Sequence, residues 1–394
     1  MISVTEAKRI ITENIVEMQP VQMPLQQATG KIVAADIFST IDIPAFPQSS
    51  MDGYAFCFSQ WQQHKKLIIN GEVAAGSETE IVLPPGKAIR IFTGAPVPPG
   101  ADTVVMQEKV TVENATLIIQ DEDIKQGTNV RPKGSEMKAG ELALQKGTLL
   151  SPAAIGFLAG IGITAIQVFP NPSISIIITG NELQQAGQPL QYGQVYESNS
   201  FTLLAALKQL HMNDVKVLRA GDDLKILTGI LKEALQQSDM VLLTGGISAG
   251  DYDFVLQAAA DCGVKTLFHK IKQRPGKPLF FGKKENKIVF GLPGNPSSVL
   301  TCFYEYVLTA LAILTKQQVS LQHINAPLQK SFSKTNTLTH FLKAFYNGQT
   351  VSVLDAQESY RLSSFAKANC LVKINEEVTE HVTGEMVEVH ILPQ

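Results

Sequence analysis

Five short segments of this 394-residue chain carry residue types that could grip an oxygen-rich, multiply charged ligand. GLPGNPSS (291–298) ends an apolar run and opens a helical one. Asn295 suits the N-cap, Pro296 the first helical position, and Pro293 and Gly294 a rigid turn. The free N–H groups of Ser297 and Ser298 would then face outward, as helix N-termini do when they hold phosphate. A plain strand-to-helix turn would use the same residues, and composition does not choose between the two. TGGISAGDYD (244–253) places Gly245, Gly246 and Ser248 just after a strand, where backbone can approach a ligand closely. Its Asp251 and Asp253 stand at the sheet edge, or cap the helix that starts near Phe254. HKIKQRPGKP (269–278) gathers His269, Lys270, Lys272, Arg274 and Lys277. A charge run is commonly a solvated face, but Pro275-Gly276 breaks a helical face here, and cations beside an oxyanion turn point to a polyanion. TGNEL (179–183) contributes Glu182, which with Asp222 and Asp253 makes three carboxylates at strand ends. Near phosphates such acids imply a divalent ion, with Mg²⁺ the best match to oxygen ligands; singly, each is equally a cap or surface residue. In the fifth segment, PAFPQSSMDGYAF (44–56), Asp52-Gly53 signals a turn whose chemistry spacing does not reveal.

These loops need elements to hold them. SISIIIT, VKVLRAG, MVLLTGG and KIVFGLPG are apolar strands that each end in or before glycine. They alternate with helical patterns over 199–211, 224–237, 254–260 and 296–314. That alternation predicts an α/β fold with a doubly wound, mostly parallel sheet over 171–318. Ligands in such sheets sit beyond the carboxyl ends of the strands, so the turns at 179–183, 221–223, 244–253 and 291–298 share one edge. Residues 41–137 hold short β runs (KLIING, KAIRIFTG, DTVVMQEKV, TLIIQ) broken by Gly and Pro, a small β domain. Residues 1–40 and 138–170 are expected to combine into an elongated helical and extended domain. Alternation over 319–394 predicts a C-terminal β barrel or sheet.

Composition excludes several classes. Lys plus Arg is 33 against Asp plus Glu 36, a net charge of −3, which argues against a broad duplex nucleic-acid surface. Cys57, Cys262, Cys302 and Cys370 lie far apart, against a zinc ribbon or disulfide framework and for a reducing compartment. The uncharged stretch 147–181 is cut by Pro152, Pro170 and Pro172, too short to cross a membrane. Ser151 as N-cap with Pro152 behind it instead predicts a buried helix, followed by strands at 165–169 and 173–179. Ser3-Val4-Thr5-Glu6 reads as a capping box, not a signal peptide, and a cytoplasmic protein is expected.

Taken together, SMDGYA, IRIFTGAPVPPGADTVVMQE (89–108), NVRPKGSEMKAGE (129–141), TGNEL, GGISAGDYD, RPGKP and GLPGNP resemble the MoeA family. These are the molybdopterin molybdenumtransferases, whose animal counterpart is the E domain of gephyrin. The resemblance spans nearly the whole chain. It implies four domains, the sheet domain being like that of the molybdopterin adenylyltransferases. It implies a homodimer whose active site lies between the sheet domain of one subunit and the β domain of the other. The implied substrates are adenylylated molybdopterin and molybdate, with Mg²⁺, release of AMP, and transient contact with a molybdopterin adenylyltransferase. By position, Asp52, Thr93, Glu182, Asp222 and Asp253 would be catalytic, the last three also facing metal. Lys270, Arg274 and Lys277 would be the basic loop, and Gly245, Gly246, Ser248, Pro293, Gly294, Asn295 and Pro296 the substrate-binding turns. Asn181 stands where many members have Asp, and Arg274 where some have Lys. No residue reads as a covalent nucleophile. Competing readings are an adenylyltransferase or CinA-like nucleotide enzyme on the same sheet, and a gephyrin-like scaffold.

Overall fold

The computed structural model describes residues 1–77, 80–247 and 254–393. The chain forms two compact units, one built from Met1–Gln22, Gly30–Ile32 and Gln167–Gln394, the other from Met23–Thr29 and Val33–Ile166.

The larger unit is organised on a six-stranded sheet. Its order is Val215–Ala220, Ile174–Thr179, Met240–Thr244, Lys287–Leu292, Phe280–Lys284, Lys265–His269. The first four strands are parallel and the last two antiparallel. The four parallel strands are those expected from the sequence. The antiparallel pair at the edge is not in that expectation, because its residues mix charge with aromatic groups and give no buried-strand run. Strand alternation splits the core cleanly. Ile174, Ile176, Ile178 and Leu242 face one cluster with Leu203, Leu207, Phe303 and Val307. Ile177, Val241, Leu243 and Val289 face the other, with Leu227, Leu231, Val255 and Ala258. Helices therefore cover both faces, and the strand ends are left to the loops.

Helix starts follow their capping residues. Ser3 Oγ accepts the Glu6 N–H at 3.1 Å, while the Glu6 carboxylate turns to Arg9 rather than back to Ser3. The helix Val4–Asn14 places Val4, Ala7 and Ile11 in the sheet-domain core. Asp223 caps Leu224–Gln237 by accepting the Ile226 N–H at 2.8 Å. The long helix begins at Pro296, passes through a π turn at Phe303–Val307 and ends at Thr315. It is the only helix among the described residues long and apolar enough to span a bilayer, and 72% of its most apolar stretch is buried in this core.

The C-terminal strands Thr339–Tyr346, Cys370–Ile374, Met386–Ile391 and Gln322–Pro327 form a sheet around their own apolar cluster. Its first strand is Gln273–Arg274, paired parallel to Thr339 and His340. The basic loop is thus stitched into the C-terminal sheet.

The smaller unit carries a six-stranded sheet in the order Thr103–Met106, Gly53–Phe56, Lys87–Ile91, Leu67–Val73, Thr116–Ile119, Val110–Glu113. All four expected β runs are present. The Asp52-Gly53 turn signal instead marks the entry to a central strand. Gly53 is required there, since a Cβ would lie 1.8 Å from the Val105 carbonyl oxygen. Ser151 caps Pro152–Gly160 as expected, accepting the Ala154 N–H at 3.2 Å. The expectation that this helix is buried does not hold within the chain: Leu158 alone is buried. With few polar groups the segment reads as an interior helix, yet most of its residues are exposed or half-buried in the chain.

Candidate active site

At the carboxyl edge of the parallel sheet, Thr179 ends its strand and Gly180 turns the chain with φ +138°. Asn181 and Asp222 then lock two turns to each other. The Asn181 N–H donates to Asp222 Oδ2 at 3.0 Å, and the Asp222 N–H to Asn181 Oδ1 at 3.3 Å. The Glu182 carboxylate folds back over Gly180, where a Cβ would meet its oxygens at 2.7 and 2.9 Å. That carboxylate is exposed and has no partner among the described residues.

Two glycines admit the neighbouring strand end. Gly245 (φ +82°) approaches so closely that a Cβ would lie 2.5 Å from the Thr179 carbonyl oxygen. A Cβ on Gly294 would lie 3.7 Å from the Gly245 Cα, so the two turns meet backbone to backbone. Asn199, first residue of the helix Asn199–Gln209, ties them further by donating Nδ2–H to the Gly294 carbonyl at 2.8 Å. Just before it, buried Glu197 accepts the Ser200 N–H at 2.8 Å and the Ser200 hydroxyl.

The result is a cleft of about 470 Å³ lined by Thr179, Glu182, Asn199, Gly245, Asn295 and Tyr360 among others. This is the size class of small-molecule sites. Of the residues singled out in the sequence, Glu182, Gly245, Gly294, Asn295 and Pro296 line it. Gly246 and Pro293 flank it in the same turns, whereas Asp222 does not line it and is bonded to Asn181, the neighbour of Glu182. Ser248 and Asp253 lie outside the described residues. Thr179, Glu197, Ser198, Asn199 and Tyr360 were not singled out. Asn199 had a signal, as the start of a helix on the ligand edge. Tyr360 had none, because it arrives from the C-terminal segment.

The 291–298 turn differs from expectation in one respect. Asn295 occupies the N-cap but its side chain makes no cap bond; Nδ2 donates to Ser359 Oγ at 2.9 Å. The Ser297 N–H donates to the Ser359 carbonyl at 3.1 Å. One of the two donors expected to be free is therefore already taken by the C-terminal segment. Ser297 Oγ, Thr244 Oγ1 and Asn199 Oδ1 are buried without a partner among the described residues. Buried polar groups are rarely left so; of the three, only Asn199 lines the cleft.

The basic loop packs its backbone, not its charges, against this turn. A Cβ on Gly276 would lie 2.5 Å from Cys302 Sγ and 3.8 Å from the Ser298 carbonyl. Arg274 opens onto a second cleft of about 250 Å³ with Lys334, His340 and Gln357. Burial, then the charges of Lys334 and Arg274, push the His340 imidazole down to about 4. Lys277 is exposed and Lys270 half-buried, and neither lines the larger cleft.

In the smaller unit, Asp52 and Thr93 are brought together across the antiparallel pair Gly53–Phe56 and Lys87–Ile91. Asp52 Oδ1 accepts both the Thr93 N–H and the Thr93 hydroxyl at 2.8 Å. Those two bonds, aided by Arg90, hold its carboxyl below the usual range.

One other cluster has metal-ligand chemistry: His323, Glu388 and His390 in the C-terminal sheet. It is already occupied by protein. His390 Nδ1 faces Glu305 at 2.6 Å and Nε2 faces Glu388 at 2.9 Å. Burial would raise both acids, but His390 together with Lys8 or Lys373 outweighs it and holds them ionised, Glu388 at about 2. Each ring nitrogen of His390 is thus already engaged by a carboxylate of the protein. The His323 and His390 rings also stack at 3.9 Å with 7° between planes, so one ion cannot lie in both planes. This is a buried charge network joining the N-terminal helix, the π turn and the C-terminal sheet.

Three family models match the chain: "MoeA N-terminal region (domain I and II)" over residues 2–162, "Probable molybdopterin binding domain" over 175–313, and "MoeA C-terminal region (domain IV)" over 325–392. A molybdopterin molybdenumtransferase of Haemophilus influenzae is 34% identical, covering 99% of this chain and 98% of its own. Molybdopterin molybdenumtransferase 2 of Mycobacterium tuberculosis is 32% identical over 99% of both. A crystal structure of a molybdopterin biosynthesis MoeA protein from Pyrococcus horikoshii superposes with a TM-score of 0.82 at 28% identity, over 99% of each chain.

Proposed function

The chain belongs to the MoeA family, the molybdopterin molybdenumtransferases of molybdenum cofactor biosynthesis, and from that premise we propose the following reaction for it. The substrates are adenylylated molybdopterin and molybdate. The two dithiolene sulfurs displace oxygen from molybdate, which leaves as water, and a water cleaves the phosphoanhydride so that AMP leaves. The observation that carries this reading is the convergence of Glu182, Asn199, Gly245, Gly294 and Asn295 on one cleft, where Asn199 Oδ1 is buried without a partner among the described residues. Apposed glycine turns suit a ligand that must be gripped through backbone, and among the described residues no cysteine, serine or lysine in the cleft is set beside a base as a nucleophile would be. Catalysis then rests on positioning and on a divalent cation near developing negative charge, with the dithiolene sulfurs themselves taking the metal.

Mg²⁺ fits the donors on this edge. Glu182 offers a carboxylate and Asp222 its Oδ1, each without a partner among the described residues, and hard oxygen donors with ligand phosphates suit that ion. Its chemistry there would be to offset charge on the phosphoanhydride; Asp253 is a third candidate ligand.

A homodimer completes the site in this reading, with Asp52 and Thr93 of one subunit meeting the cleft of the other. The surface helix Pro152–Gly160, apolar yet mostly uncovered within one subunit, supports a second copy. A cytoplasmic setting agrees with the four free cysteines.

The test is reconstitution. The purified chain, adenylylated molybdopterin, Mg²⁺ and molybdate should yield active cofactor in an apo-molybdoenzyme, with one AMP released per cofactor formed. Adenylylation of free molybdopterin from ATP would replace this reading with the adenylyltransferase one.

A further inference from the structure

We propose that Asn199 is a positioning residue whose Oδ1 reads an amine N–H on the heterocycle of the bound substrate; the inference rests on the cleft being the site for the adenylylated pterin. Asn199 lines the cleft and is 8% exposed. Its amide can be oriented in only one way. The Gly294 carbonyl 2.8 Å away can only accept, so the atom facing it is Nδ2 and the other is Oδ1. That oxygen is buried and has no donor among the described residues.

A buried carbonyl without a donor is a standing cost, and a group that supplies the donor recovers it. The described cleft wall does not, since nearby Ser200 spends its N–H and hydroxyl on Glu197, and Asn295 its amide N–H on Ser359. A ligand edge that enters the wall beside Gly294 does. Such a site rejects an analogue in which the amine is replaced by a carbonyl, because two acceptors then face each other. Both halves of the substrate carry such an amine, the 2-amino group of the pterin and the 6-amino group of adenine. The tie to Gly294 means that the same side chain also sets the turn against which the ligand lies.

The test is calorimetric titration of the full chain with two matched pairs, AMP against inosine monophosphate and pterin against lumazine. Each pair differs by amine against carbonyl at the position in question. The wild-type chain should prefer the amine in one pair by on the order of tenfold, and that pair identifies which ring Asn199 reads. Asn199→Ala should bring that ratio to about one. Asn199→Asp keeps an acceptor but faces the Gly294 carbonyl with another, so it should weaken all ligands together while retaining the ratio. A merely structural role predicts equal losses within each pair for both variants. No preference in the wild type, or a ratio that survives Asn199→Ala, overturns the proposal. Failure of the wild type to bind either class overturns the assignment of the cleft as well.

Discussion

Thr93 donates both its backbone N–H and its hydroxyl to the same carboxylate oxygen of Asp52, each at 2.8 Å, although 41 residues separate them. The pairing is set by the sheet, since Gly53 sits opposite Ile91 and leaves both residues just beyond the strand ends. One carboxylate oxygen is therefore consumed in fixing the loop, and Oδ2 is free to act. Asp52→Ala should cut cofactor formation by on the order of 10²-fold while leaving the melting temperature within a few degrees, because both residues are exposed. Asp52→Asn keeps the acceptor and should be nearly as poor. Asp253→Ala is expected to behave like Asp52→Ala. Unimpaired insertion by Asp52→Ala and Asp253→Ala together would remove the assigned roles.

Gly245 has no room for a side chain. Its Cβ would lie 2.5 Å from the Thr179 carbonyl, at a φ of +82°. Gly245→Ala should destabilise the chain by about 2 kcal/mol or more and abolish ligand binding to the cleft. Chemical denaturation together with AMP titration measures both effects; wild-type stability in that variant contradicts the close approach.

Asn181 and Asp222 hold each other by reciprocal backbone bonds. Asn181→Asp keeps the acceptor for the Asp222 N–H and adds a negative charge beside Glu182. If Mg²⁺ is held on this edge, the Mg²⁺ concentration for half-maximal activity should fall several-fold. An unchanged Mg²⁺ titration would place the ion elsewhere.

The buried network has an acid limit with a definite sign. Glu388 is held at about 2 by His390 and Lys373 against an ordinary value of 4.5. A depressed carboxyl stabilises the fold fully above its unfolded pKa and loses that advantage as pH falls toward the folded one. Glu388→Gln should thus cost about 1–3 kcal/mol at pH 7, with the gap to wild type constant down to about pH 5 and shrinking below it. Urea midpoints at stepped pH values measure it; a gap that widens on acidification refutes the pairing.

Ala153 is exposed in the first turn of Pro152–Gly160. Ala153→Asp adds charge where a helix N-terminus tolerates it, so each subunit should stay folded. If this helix is covered by a second copy, light scattering should show dimers in the wild type and monomers in the variant. Dimers in both would locate the contact elsewhere.

Much of the architecture was legible in the residues. Strands such as Ile174–Thr179 and Met240–Thr244 are buried on both faces, and a continuous apolar run can satisfy no other environment. Ser3 and Ser151 announce their helices because capping is local chemistry. Glycines at the strand ends marked the turns of which Gly245 and Gly294 line the cleft. Local chemistry does not say what a surface lies against. That Ser359 takes the Ser297 N–H, that Tyr360 enters the cleft, and that Gln273–Arg274 pairs with the C-terminal sheet depend on contacts across tens of residues. So does the exposure of Pro152–Gly160, whose apolarity reads the same whether its cover is a core or a neighbouring subunit. The chain's order determined which residues could do chemistry; the docking of separate segments, governed by shape and burial rather than by spacing, decided which of them share a cleft.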